Sequence, residues 1–178
     1  GLFGALANEA GRHFEQFKAQ ELANTVWAFA SAGHADALLF GALARIIEER
    51  VSEFTVQGLA NTAWAYAKAG VVDAPLFDAF GTMAMARVRE FNAQDLAHTA
   101  WAFAKTGQFG GPLLESLARC AGARLSELSA QGLANTVWAF AKADCVEESL
   151  FAAFADAIHP RLNEFNAPGV AITTWAFA

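Results

Sequence analysis

Residues 57–70 read QGLANTAWAYAKAG, and residues 131–144 read QGLANTVWAFAKAD. The same core recurs as LANTVWAFA at 22–30, as LAHTAWAFA at 96–104 and, in drifted form, as VAITTWAFA at 170–178. The five tryptophans, Trp27, Trp64, Trp101, Trp138 and Trp175, stand 37 residues apart throughout. A fixed period of this length marks a chain built from repeated supersecondary units, each too small to bury its apolar face alone.

Working outward from the motif, each unit reads as two helices. Helix A of the second unit covers residues 56–68. Thr55, Asn92, Ser129 and Asn166 form a column at its start, and their side chains suit an N-cap. Lys18 breaks the column in the first copy. Gly33, Gly70 and Gly107 stand where a helix turns left-handed and stops, with Asp144 in the fourth copy. Leu59, Ala60, Ala63, Trp64 and Ala67 recur at helical spacing. They read as the buried stripe, so the Trp column is expected in the core. Helix B follows a short loop. Pro75 and Pro112 sit in its first turn, where proline is tolerated. Its apolar stripe is Leu76, Phe77, Phe80, Gly81, Ala84 and Val88, repeated earlier as Leu39, Phe40, Leu43, Ala44, Ile47 and Val51. Phe54, Phe91, Leu128 and Phe165 close the units.

The expected architecture is all-α: an α-solenoid of about five stacked two-helix repeats with a right-handed superhelix. It forms one segment over 1–178, comprising a helix B at 1–17, repeats at 18–54, 55–91, 92–128 and 129–165, and a partial repeat at 166–178. Both ends cut through a repeat, so a longer array is expected.

Composition narrows the classes. Of 178 residues, 55% are hydrophobic and 17% charged. That is too apolar for a disordered chain. No apolar run approaches the roughly 18 residues of a membrane helix, so membrane insertion is not expected. Two cysteines make no disulfide framework. Residues 1–10 carry no basic stretch of the secretory type. The net charge of −6 argues mildly against nucleic acid as a partner. That charge is unevenly spread. The helix A segments, with their last-turn residues, carry Lys18, Lys68, Lys105 and Lys142 against Glu21, Asp95 and Asp144, a net of +1; the remainder carries −7.

The pattern Q-x-L-A-N-T-x-W-A-F-A-K-A-G at a 37-residue period resembles the heptatricopeptide and octotricopeptide repeats, helical-hairpin families of algae and other protists. Tetratricopeptide and ankyrin units are shorter, at about 34 and 33 residues. The resemblance spans essentially the whole chain. It implies an organellar RNA-binding protein of the mitochondrion or chloroplast, acting on a transcript or on ribosomal RNA.

The residues of helix A are compatible with that implication. Opposite the Leu/Trp stripe, four columns fall at i, i+3, i+7 and i+10. They are Glu21, Gly58, Asp95, Gly132 and Gly169; Asn24, Asn61, His98, Asn135 and Ile172; Ala28, Ala65, Ala102, Ala139 and Ala176; and Ser31, Lys68, Lys105 and Lys142. The alanines would leave room for a flat base. The Asn column offers a donor and an acceptor per repeat for a base edge. The lysines would meet phosphates, and the first column varies most, as a code would. Thr25, Thr62, Thr99, Thr136 and Thr173 would add hydroxyls beside the Asn column. Structural readings stand beside these: an Asn ladder between hairpins, and lysines that complement the helix dipole. The expected RNA-contacting set is therefore Glu21, Asn24, Gly58, Asn61, Lys68, Asp95, His98, Lys105, Gly132, Asn135 and Lys142.

Arg50, Arg87, Arg124 and Arg161 precede Glu53, Glu90, Glu127 and Glu164 by three residues, with His13 and Gln16 in the first copy. The two columns read as an inter-repeat ion-pair ladder. The histidines His13, His34, His98 and His159, like Cys120 and Cys145, occupy unrelated columns, which argues against a metal set. Neither a catalytic constellation nor a cofactor or small-molecule substrate is expected. The sequence points to a binding protein with single-stranded RNA or ribosomal RNA as ligand; the rival expectation is a protein-interaction scaffold in a large organellar complex.

Overall fold

A computed structural model describes residues 1–108 and 111–178. Among these residues the chain is all-helical, with ten α-helices and no strand. The helices are α1 (Leu2–Gly11), α2 (Ala19–Ser31), α3 (Ala37–Glu49), α4 (Val56–Ala69), α5 (Ala74–Arg87), α6 (Ala93–Thr106), α7 (Gly111–Gly122), α8 (Ala130–Lys142), α9 (Glu148–Ile158) and α10 (Ala167–Ala176). The even-numbered helices are helices A and the odd-numbered ones helices B. A short 3-10 turn such as Val51–Glu53 or Val88–Glu90 leads from each helix B to the next helix A.

The punctuation read from the sequence is what ends the helices. Thr55, Asn92, Ser129 and Asn166 accept the N3 amides of Gly58, Asp95, Gly132 and Gly169 at 3.0, 2.8, 3.1 and 2.8 Å. Lys18 has no oxygen to offer, and Glu21 compensates by accepting the Lys18 amide at 2.7 Å. Gly33, Gly70 and Gly107 close their helices at φ of 71°, 71° and 73°. Asp144 takes the same left-handed turn at φ 57°, which a short polar side chain tolerates better than most.

Packing follows two rows. Each helix A packs on the next helix A, each helix B on the next helix B, and every hairpin packs its own two helices together. Contact within the A row is the denser of the two. Helix B buries the expected stripe: Leu76, Phe77, Phe80 and Ala84 are buried, as are Leu39, Phe40, Leu43, Ala44 and Ile47. Phe54, Phe91 and Leu128 are buried beneath the turns. Helices α4, α6 and α8 are each covered on three sides, by their own helix B and by a helix A on either flank. Leu59, Ala60, Ala63 and Ala67 are buried as expected, but so are Thr62, Ala65 and Tyr66. The Tyr66 hydroxyl donates to the Phe40 carbonyl at 2.8 Å. That bond keeps a buried phenol satisfied.

The Arg/Glu column takes a different form from the ladder expected. Arg50–Glu53, Arg87–Glu90 and Arg161–Glu164 pair at 2.6, 2.8 and 2.7 Å within one unit. The link across units is made by the same guanidiniums to backbone. Arg50, Arg87 and Arg161 donate to the carbonyls of Phe17, Phe54 and Leu128 at 2.7, 2.8 and 2.8 Å, and Arg124 donates to that of Phe91. Each bond reaches 33 residues back, to the last residue before the cap of a helix A. The Glu aims the guanidinium, and the guanidinium pins the entrance of helix A. His13 is too short for this reach and meets Glu9 instead, at 3.3 Å.

Ala102 is fully buried in the dense A row, where added volume has nowhere to go. Ala102→Leu should destabilise the chain by about 1–3 kcal/mol, measured by chemical denaturation. Ala28→Leu, on the exposed flank of α2, should cost almost nothing.

Candidate nucleic-acid interface

With three sides of helix A covered, one narrow strip remains open. In α4 it consists of Gln57, Asn61, Trp64 and Lys68, spaced four, three and four residues apart on one helical face. Gln57 and Lys68 are exposed, and Asn61 and Trp64 half-buried. The pattern repeats as Gln94, His98, Trp101 and Lys105 on α6, and as Gln131, Asn135, Trp138 and Lys142 on α8. On α2 it is Gln20, Asn24, Trp27 and Ser31.

The tryptophans are therefore not core residues, which corrects the reading of the sequence. Trp27 is 50% and Trp175 55% exposed, and the three between them are half-buried. They approach one another in pairs, Trp64–Trp101 with ring centroids 6.2 Å apart and Trp138–Trp175 at 6.4 Å. The Lys68 ammonium lies 4.7 Å from the Trp64 ring centroid and that of Lys142 5.0 Å from Trp138. A cation over an indole face is held by the ring quadrupole. The lysines thus belong to the same strip as the indoles, in addition to standing in the last turn of their helices.

The remaining expected columns fall in different places. The alanine column is no open floor for a base: Ala65, Ala102 and Ala139 are all 0% exposed, sealed in the A row. The threonines serve their own helices. Thr25, Thr62 and Thr136 donate to the carbonyls of Glu21, Gly58 and Gly132 at 2.7, 2.7 and 2.6 Å, while the hydroxyls of Thr99 and Thr173 are buried without a partner. The most variable column stands at N3 of helix A. Asp95 there is only 3% exposed and accepts the Asn92 amide at 3.2 Å. That bond completes a capping box. Burial pushes the Asp95 carboxyl above the ordinary value, against the opposing pull of the bond. Gly58 and Gly132 fill the same position where a Cβ would crowd Thr55 and Leu128, at 3.2 Å each.

The Asn column is mixed. Asn61 Oδ1 meets His98 Nδ1 of the next unit at 3.2 Å, a side-chain link between hairpins. His98 also stacks on Trp64, with ring centroids 5.6 Å apart and 27° between planes. Asn135 accepts from Gln131 of its own helix at 2.9 Å, and Asn24 is exposed. The Gln and Trp columns escaped the sequence reading, although the signal was present. Asn61, Trp64 and Lys68 stand three and four residues apart, as neighbours on one face.

Among the described residues no cluster of His, Cys, Asp and Glu has the makings of a metal site, and no helix is long and apolar enough to cross a membrane. The strip offers amide or imidazole edges, flat apolar faces and cations, in that order along α4, α6 and α8, with Ser31 in place of the cation on α2.

Burial pushes the His98 imidazole below its ordinary value of 6.5. The folded ring therefore stays neutral at pH values where the unfolded one takes up a proton, so stability falls as pH drops below about 6.5. The wild-type chain should lose more melting temperature between about pH 7.5 and 5.5 than His98→Asn, which has nothing to titrate at this position. Equal losses would show that the imidazole is not held neutral.

The model of the RNA-editing substrate-binding complex 6 protein family matches residues 2–178, and the chain belongs to that family. No curated protein matches it.

Proposed function

We propose that this member of the RNA-editing substrate-binding complex 6 protein family binds single-stranded RNA along the open strip of its A helices, as a component of a mitochondrial RNA-editing complex. The observation that carries the reading is the coincidence of indole and hydrogen-bonding edge on one face of four successive A helices, with an ammonium on three of them. Single strands expose base faces, base edges and phosphates, and proteins meet these with aromatic side chains, hydrogen-bonding groups and cations. Trp27, Trp101 and Trp138 supply the stacking surfaces, while the His98 ring lies against the face of Trp64. Asn24, Asn61, His98 and Asn135 lie beside them to meet edges, and Lys68, Lys105 and Lys142 meet phosphates. Glu21, Gly58, Asp95 and Gly132 border the strip at the first turn and shape its floor.

The family name supports an editing substrate as ligand in place of ribosomal RNA, and the mitochondrial setting of this family's RNA-editing complexes favours the mitochondrion over the chloroplast. The unit itself is a relative of the heptatricopeptide-type hairpin, supported by the LANTxWAFAKAG motif, and the rows continue as a right-handed solenoid. The chain acts by binding and not by catalysis. Because the net acidic charge lies outside the A segments, the opposite side of the molecule is left for protein partners in the same complex, which the word "complex" in the family's name favours.

Three lysine contacts to a single strand predict a salt slope, log K against log of salt concentration, of roughly −2. Changing Lys68, Lys105 and Lys142 together to Glu should abolish binding of a single-stranded RNA while the chain stays folded, with a modest loss of melting temperature from the anions placed at three helix C-termini. Retained affinity with an unchanged slope would mean that the lysines serve only their helix termini and indoles.

A further inference from the structure

The strip is not uniform. Between α2 and α4 lies a groove of about 480 Å³. Trp27 and Asn24 line one wall, Gln57, Gly58 and Asn61 the other, and Lys18 stands at its edge. Trp27 and Gln57 are exposed, and so is Asn24. The acid that also lines the groove, Glu53, is bound to Arg50 at 2.6 Å, so its charge is already met. Gly58, with no side chain, is part of the far wall. One unit later the equivalent positions carry Asp95 and His98, and the imidazole of His98 already lies against Trp64 while bonding Asn61. The protein has filled that second place with its own flat ring.

A pocket that a unit elsewhere fills with an aromatic side chain indicates what it accepts when open. The ligand is planar, it stacks on an indole, and it carries a hydrogen-bonding edge within reach of an amide. A nucleobase has all three properties. A nearby ammonium suits the phosphate attached to it.

Resting on the RNA-binding reading above, we infer that the groove between α2 and α4 seats one unstacked nucleobase of the bound strand, on Trp27 and against the amides of Asn24 and Gln57, and that His98 occupies the next seat in place of a base. The register of the strand is then anchored at Trp27, and the Trp64 position is passed over.

The test is equilibrium binding of fluorescein-labelled single-stranded RNA homopolymers of roughly ten nucleotides to the whole chain, by anisotropy, at about 150 mM salt. Trp27→Ala should weaken the best-bound homopolymer by about tenfold or more, the amount that one stacked base contributes. Trp27→Phe should keep most of the affinity, because stacking survives. His98→Asn, which clears the face of Trp64, should tighten binding by a few-fold. Trp27 is a surface residue, so its variants should melt as wild type does. If Trp27→Ala binds as wild type while the triple lysine variant does not bind, the seat at Trp27 is refuted and the RNA-binding strip stands. An unchanged affinity in His98→Asn refutes the filled second seat. If the wild-type chain binds none of the homopolymers, the strip and the seat fall together.

Discussion

Everything on the open face depends on how closely successive A helices approach. Interaxial distance is set by the side chains at the contact, and here those side chains are small. Ala65, Ala102 and Ala139 are completely buried, and Ala60, Ala63 and Ala67 on α4 are buried with them. Close approach has two consequences. It covers the flanks of each helix, so that only a narrow strip of side chains reaches solvent. It also brings the strips of neighbouring helices within range of one another, so that Trp64 meets both Trp101 and His98 of the next unit. A bulkier column would separate the indoles and open the flanks together.

The Arg column fixes the same geometry from the other end of the hairpin. A guanidinium pins the carbonyl that leads into helix A in four successive units. In three of them the guanidinium is itself held by its Glu neighbour. The carboxylates of Glu53, Glu90 and Glu164 are held below their ordinary value by this contact, and the arginines Arg50, Arg87 and Arg161 above theirs. Hydrogen bonds from a charged group to a carbonyl are directional, so they set orientation better than apolar packing does. Alanine contact sets the spacing of the A row, and the Arg–carbonyl bond sets the entry of each helix into it.

Much of this was legible in the sequence, because caps and stop signals are local. Thr55, Asn92, Ser129 and Asn166 act through atoms three residues away, and Gly70 acts through its own φ. Helix B was legible for a related reason: it has one buried stripe and one exposed face. Helix A misled, because its burial comes from two neighbours that share its own sequence. A two-faced projection places Trp64 with Leu59 and Ala63, and it leaves Ala65 and Thr62 for solvent. The structure reverses both placements. Large aromatic side chains usually seek burial, so a Trp column reads as core until the lateral contacts of the array are counted. The Asn and Lys columns share their face with the Trp column that the sequence reading set opposite them, and their contact with RNA rests on the proposed function and not on their position.

The central claim is that the Trp–amide–Lys strip is the RNA-facing surface. The most direct measurement is ultraviolet crosslinking of the whole chain to single-stranded RNA, with the attached nucleotides located by mass spectrometry of the peptides. The account predicts crosslinks concentrated on peptides that contain Trp27, Trp101 or Trp138 and their neighbours on helices A. Crosslinks confined to helices B, or to the turns that hold Arg50 and Arg87, would contradict it.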